Sequence, residues 1–168
     1  VAARTDRIEV GTGVIDMRYE NPLYLAEEAA ALDLISDGRL ALGVSRGSPE
    51  SVVRGYETFG YTGSEDPRGA DLAREHFDLF LRAIDGEGLA ESDPHSPFGG
   101  GQGMQRIEPH SPGLRSRVWW GAGNRDSAEW AGRMGVNLMS STLLTSADGR
   151  PFDILQAEQI DAFRTSWR

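Results

Sequence analysis

Apolar positions along the chain change period several times, and each change predicts a new element of secondary structure. Residues 8–15 are β-branched and glycine-rich with little alternation, a pattern typical of a strand buried on both faces. Asn21 and Pro22 then form an N-cap and first-turn pair, and apolar residues follow at helical spacing: Leu23, Ala26, Ala30 and Leu34. Residues 39–44 are short and apolar and predict the next strand. Together these segments have the size of one βαβ unit.

The second half of the chain repeats this alternation with longer connections. Residues 70–84 and 126–134 predict helices, and residues 117–120 and 136–140 predict strands. A last helix spans residues 151–167, with its apolar stripe on Ile154, Ala157, Ile160 and Phe163. The stretch 87–117 is rich in Gly, Pro and Ser, and it predicts a long irregular insertion with at most a short strand near residues 104–107. Four strands that each lead to a helix indicate an α/β fold with a parallel sheet, in one domain over residues 1–168.

Composition narrows the function classes without choosing one. The 168 residues carry 26 acidic and 17 basic side chains, a net charge of -9, which disfavours nucleic acid as a partner. No run approaches the roughly 18 apolar residues that a membrane helix needs, and the first residues lack the apolar stretch of a signal peptide. A cytoplasmic location is the default expectation. With no cysteine in the chain, disulfides and Cys-ligated metals are excluded, and we assign no metal site.

Candidate chemistry lies where the predicted strands end. Because ligands of parallel α/β folds bind at the carboxyl ends of the strands, the following loops should share one rim: those after Val14, Val44, Trp120 and Met139. Residues 43–48 place Arg46, a forked donor suited to phosphate, between glycines. Residues 121–127 form a glycine-rich turn that leads into a helix N-terminus, which favours an anion. Taken singly, each motif fits an ordinary strand-to-helix turn or a capped helix equally well.

Other polar and aromatic residues have simpler interpretations, so no catalytic residue is assigned. Ordinary structural or solvated roles are expected for the histidines, which are His76, His95 and His110. Trp119 and Trp120 are adjacent in a predicted strand and must face opposite sides of the sheet. On the first helix, a solvated face or a dimer contact is expected for Glu27, Glu28 and Asp33.

Several blocks of sequence together resemble one known family. Residues 7–15 (RIEVGTGVI), 21–22, 26–28, 32–34 and 38–47 are similar to the third and fourth βα units of luciferase-like flavin monooxygenases. The second half agrees, because residues 119–123, 127–131 and 137–142 resemble the fifth and sixth strands with their flanks, and residues 156–160 the next helix. The resemblance covers nearly the whole chain except about residues 87–105.

This resemblance implies a partial (β/α)8 TIM barrel that contains about the third to sixth strands with their helices. A whole barrel takes about 250 residues, so the chain is expected to be an internal piece that starts and stops within the fold. Such a piece would expose two unpaired strand edges and an uncovered apolar face. It would therefore be truncated or depend on a partner for folding and cofactor binding.

The resemblance also implies a function and a set of site residues. Members of this family act as flavin-dependent oxidoreductases or monooxygenases on small organic substrates, using reduced FMN or, in a sister branch, F420. A flavin reductase is a candidate partner, and a homodimer the expected assembly. By position, Arg46 corresponds to the residue that pairs with the flavin phosphate, and Ser45 to one near the reactive face of the ring. The helix start that closes the phosphate site corresponds to Gly123, Asn124 and Ser127. The strand end that supports the flavin ring, often through a non-prolyl cis peptide, corresponds to Gly13 and Val14.

Two alternatives to a complete enzyme remain at this stage. The chain could be a non-catalytic remnant of such a barrel that binds flavin or dimerises without turnover. It could also be an unrelated α/β domain with glycine-rich turns. A reading frame extending by roughly 70 to 100 residues on each side would favour the enzyme, because a whole barrel needs that length.

Overall fold

The computed structural model describes residues 1–98, 102–142 and 148–168. Its strands are β1 (Val10–Gly11), β2 (Ile15–Asp16), β3 (Leu40–Ser45), β4 (Ala90–Glu91), β5 (Met104–Gln105), β6 (Val118–Ala122) and β7 (Asn137–Ser140). Its α-helices are α1 (Pro22–Ile35), α2 (Ala70–Ile84), α3 (Arg125–Met134) and α4 (Phe152–Ser166). Short 3-10 turns occur at Ala2–Arg4, Gly55–Phe59 and Leu114–Arg117. In the described ranges, no helix is both long and apolar enough to cross a membrane.

The main sheet is parallel, as the sequence predicts. Its order is β1-β3-β6-β7, and β2 continues the edge beside β3. The register pairs Val44 with Trp120, and Trp120 with Leu138. The strands β2, β3, β6 and β7 therefore end at the same edge of the sheet, which confirms the α/β class and agrees with a segment of a (β/α)8 barrel.

The first strand differs from its prediction as one buried strand over residues 8–15. It is broken into β1 and β2, and between them the Thr12 hydroxyl donates to the Gly43 carbonyl (2.7 Å) and accepts from the Gly43 N–H (3.0 Å). Ile8 is 56% and Val14 36% exposed. The prediction of burial is wrong because this strand is an edge, with β3 as its only strand neighbour in the described chain.

Helix α1 begins where its capping pair predicts. The Asn21 side chain accepts hydrogen bonds from the N–H groups of Leu23 (3.0 Å) and Tyr24 (3.1 Å), and Pro22 occupies the first turn. The predicted apolar stripe is partly wrong, because Leu34 is 52% exposed. Small residues dominate the buried positions of this helix, which are Pro22, Leu25, Ala26, Ala29, Ala30 and Asp33.

Removing the N-cap side chain tests how much this helix start contributes to stability. Asn21→Ala should lower the free energy of unfolding by about 1 kcal/mol, because two N–H groups of the first turn lose their acceptor. Chemical denaturation measures this change. Glu20→Ala, the control at the preceding exposed position, should change the free energy by less than about 0.5 kcal/mol. Equal losses in the two variants would contradict a capping role.

The core between α2, α3 and the sheet is aromatic. Phe77 is fully buried, and its ring centroid lies 4.9 Å from that of Trp120 and 5.5 Å from that of Trp130. Trp120 is 2% exposed under the helices, whereas Trp119 is half-buried on the other face of the sheet. The prediction that these neighbours face opposite ways is confirmed.

The predicted apolar stripe of helix α4 is wrong in part. Its buried residues are Leu155, Gln159 and Ala162, whereas Ile154 is 46% exposed. Phe163 of the predicted stripe is half-buried and packs against the core. The two helices approach closely at Gly132, where an added Cβ would lie 2.6 Å from the Phe163 carbonyl oxygen. Such close packing favours a small side chain such as Ala162 at the contact over the largest apolar ones.

The stretch 87–117 contains more regular structure than its composition suggests. β4 and β5 form an antiparallel hairpin, with Ala90 opposite Gln105, and the strand expected near 104–107 is Met104–Gln105. The Glu108–Pro109 peptide is cis. That this stretch is an insertion into the barrel stays a prediction.

Asp33 corrects another expectation, because it does not lie on a solvated face. Its side chain is buried, at 1% exposure. It accepts hydrogen bonds from the Ser111 hydroxyl (2.6 Å) and from Arg117 Nε (2.9 Å), and it forms an ion pair with Arg117. This contact ties α1 to the segment that precedes β6. Glu27 and Glu28 are exposed, as expected.

Candidate functional site

The candidate residues lie together around a cavity at the carboxyl ends of the parallel strands. Its volume is about 370 Å³, and loops that follow β3, β6 and β7 line it together with the bend before β2. The sequence-predicted residues all line this cavity: Gly13, Val14, Ser45, Arg46, Gly123, Asn124 and Ser127. The cavity is also lined by residues to which the sequence analysis assigned no individual role: Gly47, Ser48, Pro49, Gly121, Met139, Ser140, Ser141 and Thr142. The expectation that these loops share one rim is confirmed, while the binding roles of the residues stay predictions.

Arg46 supplies positive charge to this cavity. In the part of the chain that the structure describes, no carboxylate lies within ion-pair distance of its guanidinium. Burial, and then repulsion from Arg18, lower the pKa of Arg46. A guanidinium nevertheless stays protonated in any folded protein. Arg46 is therefore a half-buried cation without a carboxylate partner, and an anionic ligand could provide one.

The turn that carries Arg46 is fixed by its neighbours. The Ser45 hydroxyl accepts a hydrogen bond from the Gly47 N–H (2.8 Å) and is 6% exposed as a residue. Gly47 has a φ of +84°, which a residue with a side chain rarely adopts. Ser45 and Gly47 therefore set the direction in which the chain leaves β3.

An ion network around the buried Arg18 lies behind this turn, and the sequence did not predict it. Arg18, at 4% exposure, binds Asp16 (2.6 Å) at the end of β2 and Glu50 (3.0 Å) in the loop after β3. Although burial alone would lower the pKa of Arg18, the hydrogen bond and the charge of Asp16 raise it overall. Tyr19 donates its hydroxyl to Glu50 (2.7 Å), and this hydrogen bond raises the pKa of Tyr19. No sequence motif signals this network, since Arg18 and Glu50 lie 32 residues apart.

The start of α3 forms another wall of the cavity. The Asn124 side chain caps the helix by accepting from the Ser127 N–H (2.9 Å). The Ser127 hydroxyl accepts from Trp120 Nε1 (3.0 Å), which leaves its own proton available for donation. The first-turn N–H groups and the helix dipole favour a negative charge at this point.

At the base of the cavity, the ends of neighbouring strands lie in close contact. The Gly13–Val14 peptide is cis, as the family resemblance implies for a ring-supporting strand end. An added Cβ at Gly43 would overlap the Thr12 carbonyl oxygen and lie 3.2 Å from Val14 Cγ1. At Gly121 it would lie 3.1 Å from Ser45 Cβ. Glycine at these two positions therefore lets three neighbouring strand ends approach one another.

The histidines do not contribute to this cavity. His76 is buried in α2, where its Nδ1 lies 2.7 Å from the Met17 carbonyl oxygen and its ring contacts Tyr61 edge-on. His95 is exposed. The described ranges contain no group of three or more His, Asp or Glu side chains that could hold a metal ion. The structural role expected for His76 is confirmed.

Comparisons with known proteins agree with the fold and the placement of this cavity. The model of the family described as luciferase-like monooxygenase matches residues 1–150. An F420-dependent glucose-6-phosphate dehydrogenase of Kribbella flavida is 30% identical over 145 residues, which cover 84% of this chain and 40% of that protein. The oxygenase component of a flavin-dependent trigonelline monooxygenase of Acinetobacter baylyi is 42% identical over 48 residues, 29% of this chain and 13% of that protein.

A solved structure matches over nearly the whole chain. Monooxygenase RslO1 from Streptomyces bottropensis superposes with a TM-score of 0.69 and 24% identity, over 99% of this chain and 48% of that protein. The chain thus spans less than half the length of the proteins it matches. Its fold is that of part of a luciferase-like TIM barrel.

The match over residues 1–150 shows that the chain belongs to the luciferase-like monooxygenase family.

Proposed function

We propose that the protein is a flavin-dependent oxidoreductase in which this chain binds FMN or F420 at the cavity of about 370 Å³. The observation that carries the proposal is the meeting of Arg46 with the start of α3 at one end of that cavity. An unpaired guanidinium and a capped helix N-terminus are the two kinds of group that proteins use most readily to hold a phosphate.

Each wall of the cavity suits a different part of such a cofactor. Arg46, the Ser127 hydroxyl and the first-turn N–H groups of α3 would hold the phosphate. The Gly13–Val14 peptide and Ser45 would support the flavin ring from the strand ends. Gly121, which lines the cavity, brings no side chain to this surface, so that backbone and ring can come close.

The chemistry itself would belong to the cofactor. A bound reduced flavin or deazaflavin supplies either oxygen activation or hydride transfer to a small organic substrate. The residues of this chain would bind the cofactor, orient it and keep its phosphate neutralised. We propose a flavin reductase as the source of reduced FMN, because one matched relative is the oxygenase component of a flavin-dependent monooxygenase. A homodimer is part of the same proposal.

Removing the Arg46 guanidinium tests the proposed phosphate site. Arg46→Ala, in the protein expressed from its complete reading frame, should weaken FMN binding by about ten- to a hundredfold, the value of a charge-assisted hydrogen bond. Riboflavin, which lacks the phosphate, should bind the variant and the unaltered protein with equal affinity. Quenching of flavin fluorescence during titration measures both constants.

A matched arginine elsewhere on the surface controls for the change in net charge. Arg164 in α4 is exposed and lies outside the cavity, so Arg164→Ala should leave FMN affinity within about twofold. Unchanged FMN affinity in Arg46→Ala would remove this residue from the site. If neither FMN nor F420 binds the unaltered protein, the proposed function fails.

A further inference from the structure

The indole of Trp120 joins the aromatic core to the cavity at the strand ends. Trp120 is 2% exposed, and its ring packs against those of Phe77 and Trp130, with centroid distances of 4.9 Å and 4.6 Å. Its Nε1–H donates to the Ser127 hydroxyl oxygen, 3.0 Å away, and Ser127 lines the cavity. A side chain buried on the helix side of the sheet is thus hydrogen-bonded to a hydroxyl of the candidate phosphate site.

This hydrogen bond limits the directions in which the Ser127 hydroxyl can donate. An indole N–H can only donate, so it occupies a lone pair of the hydroxyl oxygen, and the hydroxyl proton must point to another acceptor. A serine in the first turn of a helix can otherwise rotate and bond to nearby backbone groups. The backbone of Ser127 is held as well, because its N–H donates to the Asn124 side chain (2.9 Å). Ser127 can therefore offer the cavity its hydroxyl proton from a defined position.

The surroundings of Trp120 keep its indole in place. Its ring contacts Phe77 and Trp130, and side chains in such a close-packed interior have little freedom to move. A buried N–H without an acceptor is costly, so the bond to Ser127 also stabilises the burial of Trp120 itself. If the bond served only the buried indole, cofactor affinity would not depend on it. If it also orients the hydroxyl, cofactor affinity falls when the indole N–H is removed.

We propose that Trp120 is a positioning residue of the phosphate site, which holds the Ser127 hydroxyl so that its proton faces the cofactor phosphate. This inference rests on the proposed function, in which Arg46 and the first-turn N–H groups of α3 are the other donors at this end of the cavity. A phosphate accepts several such bonds at once. A hydroxyl that is oriented before binding loses less freedom when the phosphate arrives. Trp120 acts only through Ser127.

Trp120→Phe removes the indole N–H and keeps an aromatic ring in the core. In the protein expressed from its complete reading frame, this variant should bind FMN about three- to tenfold more weakly, the value of one hydrogen bond whose donor is no longer oriented. Riboflavin, which lacks the phosphate, should bind the variant within about twofold of the unaltered protein. Quenching of flavin fluorescence measures these constants. For a protein that binds the deazaflavin instead, F420 and its phosphate-free core replace the two flavins.

Trp130→Phe is the matched control, because it makes the same change of ring in the same aromatic cluster and leaves the bond between Trp120 and Ser127 in place. It should bind FMN within about twofold of the unaltered protein. Ser127→Ala should weaken FMN binding by about tenfold, the value of a hydrogen bond to a charged group. The double variant Trp120→Phe/Ser127→Ala should be no weaker than Ser127→Ala alone, since two residues that act through one hydroxyl are not additive.

The Trp120 indole N–H also reports on the site without any substitution in the core. Its proton–nitrogen NMR resonance is identified by its loss in Trp120→Phe. In the unaltered protein, FMN should shift this resonance more than riboflavin does, because only FMN brings a phosphate to the Ser127 hydroxyl. Ser127→Ala should remove the difference between the two flavins.

The outcomes separate the positioning role from the proposed function. If Trp120→Phe weakens FMN and riboflavin equally, Trp120 supports the cavity only by packing, and the positioning role is overturned. If Trp120→Phe binds FMN as the unaltered protein does, the bond serves only the buried indole. If Ser127→Ala binds FMN normally, neither residue belongs to the phosphate site, although the proposed function stands. If the unaltered protein binds neither FMN nor F420, the proposed function and the positioning role are both overturned.

Discussion

Asp33→Ala should lower the free energy of unfolding by about 3 kcal/mol, as expected for breaking a buried ion pair from one side. Asp33 is 1% exposed and accepts from both Ser111 and Arg117. Without it, the Ser111 hydroxyl, in a residue that is 5% exposed, loses its acceptor, and Arg117 loses its counter-charge. The Arg117 side chain is 28% exposed and can turn partly to water, which places the effect at the lower end of the range for such pairs. Urea denaturation measures the change.

Two variants on α1 separate this effect from a general loss of acidic charge. Glu28→Ala removes an exposed carboxylate from the same helix and should change the free energy of unfolding by less than about 0.5 kcal/mol. Asp33→Asn keeps an acceptor but loses the charge, and it should fall between the two. An Asp33→Ala variant as stable as Glu28→Ala would mean that the buried pair contributes nothing to the fold.

The burial of Asp33 could not be predicted from the sequence. The α/β class, the order of the elements and the helix starts follow from local signals, such as the Asn21 cap and the apolar period of α2. The faces of helices that contact other helices do not follow from such signals. A carboxylate on a helix is ordinarily solvated, and only the approach of Ser111 and Arg117, 78 and 84 residues away, buries this one.

Which apolar residues are buried in α4 and in residues 8–15 also depends on the neighbouring elements. In α4, Leu155 is buried and Phe163 packs against the core, whereas Ile154 stays exposed. Residues 8–15 have the composition of a buried strand, yet they form the edge of the described sheet, where Ile8 and Val14 stay exposed. In both cases the apolar residues can be identified from the sequence, but packing against the neighbouring element determines which of them are buried.

More of the candidate site than of the helix faces could be predicted, because strand ends are local features that the fold itself brings together. Arg46 and Asn124 each follow a strand, and parallel pairing in register places both at one edge.

Gly47 is the position where the turn that presents Arg46 tolerates least change. Its φ is +84°, and an added Cβ would overlap the Asp16 carboxylate and lie 2.8 Å from Arg18 Nη2. The methyl group of an alanine would thus enter the ion pair that joins β2 to the loop after β3. Asp16 and Arg18 cannot both keep their positions, because Arg18 is held on its other side by Glu50.

Gly47→Ala should therefore lower the free energy of unfolding by about 3 kcal/mol or more, through positive-φ strain of about 1–2 kcal/mol and the disrupted ion pair. It should also weaken binding of the phosphate-bearing cofactor by about tenfold or more, because Arg46 loses its fixed direction. Gly63→Ala is the matched control: its φ is +94°, but an added Cβ meets nothing within 4 Å. The control should show the strain alone, with cofactor affinity unchanged. If the two alanine variants are equally destabilised and bind FMN equally well, the Asp16–Arg18 pair does not position the Arg46 turn.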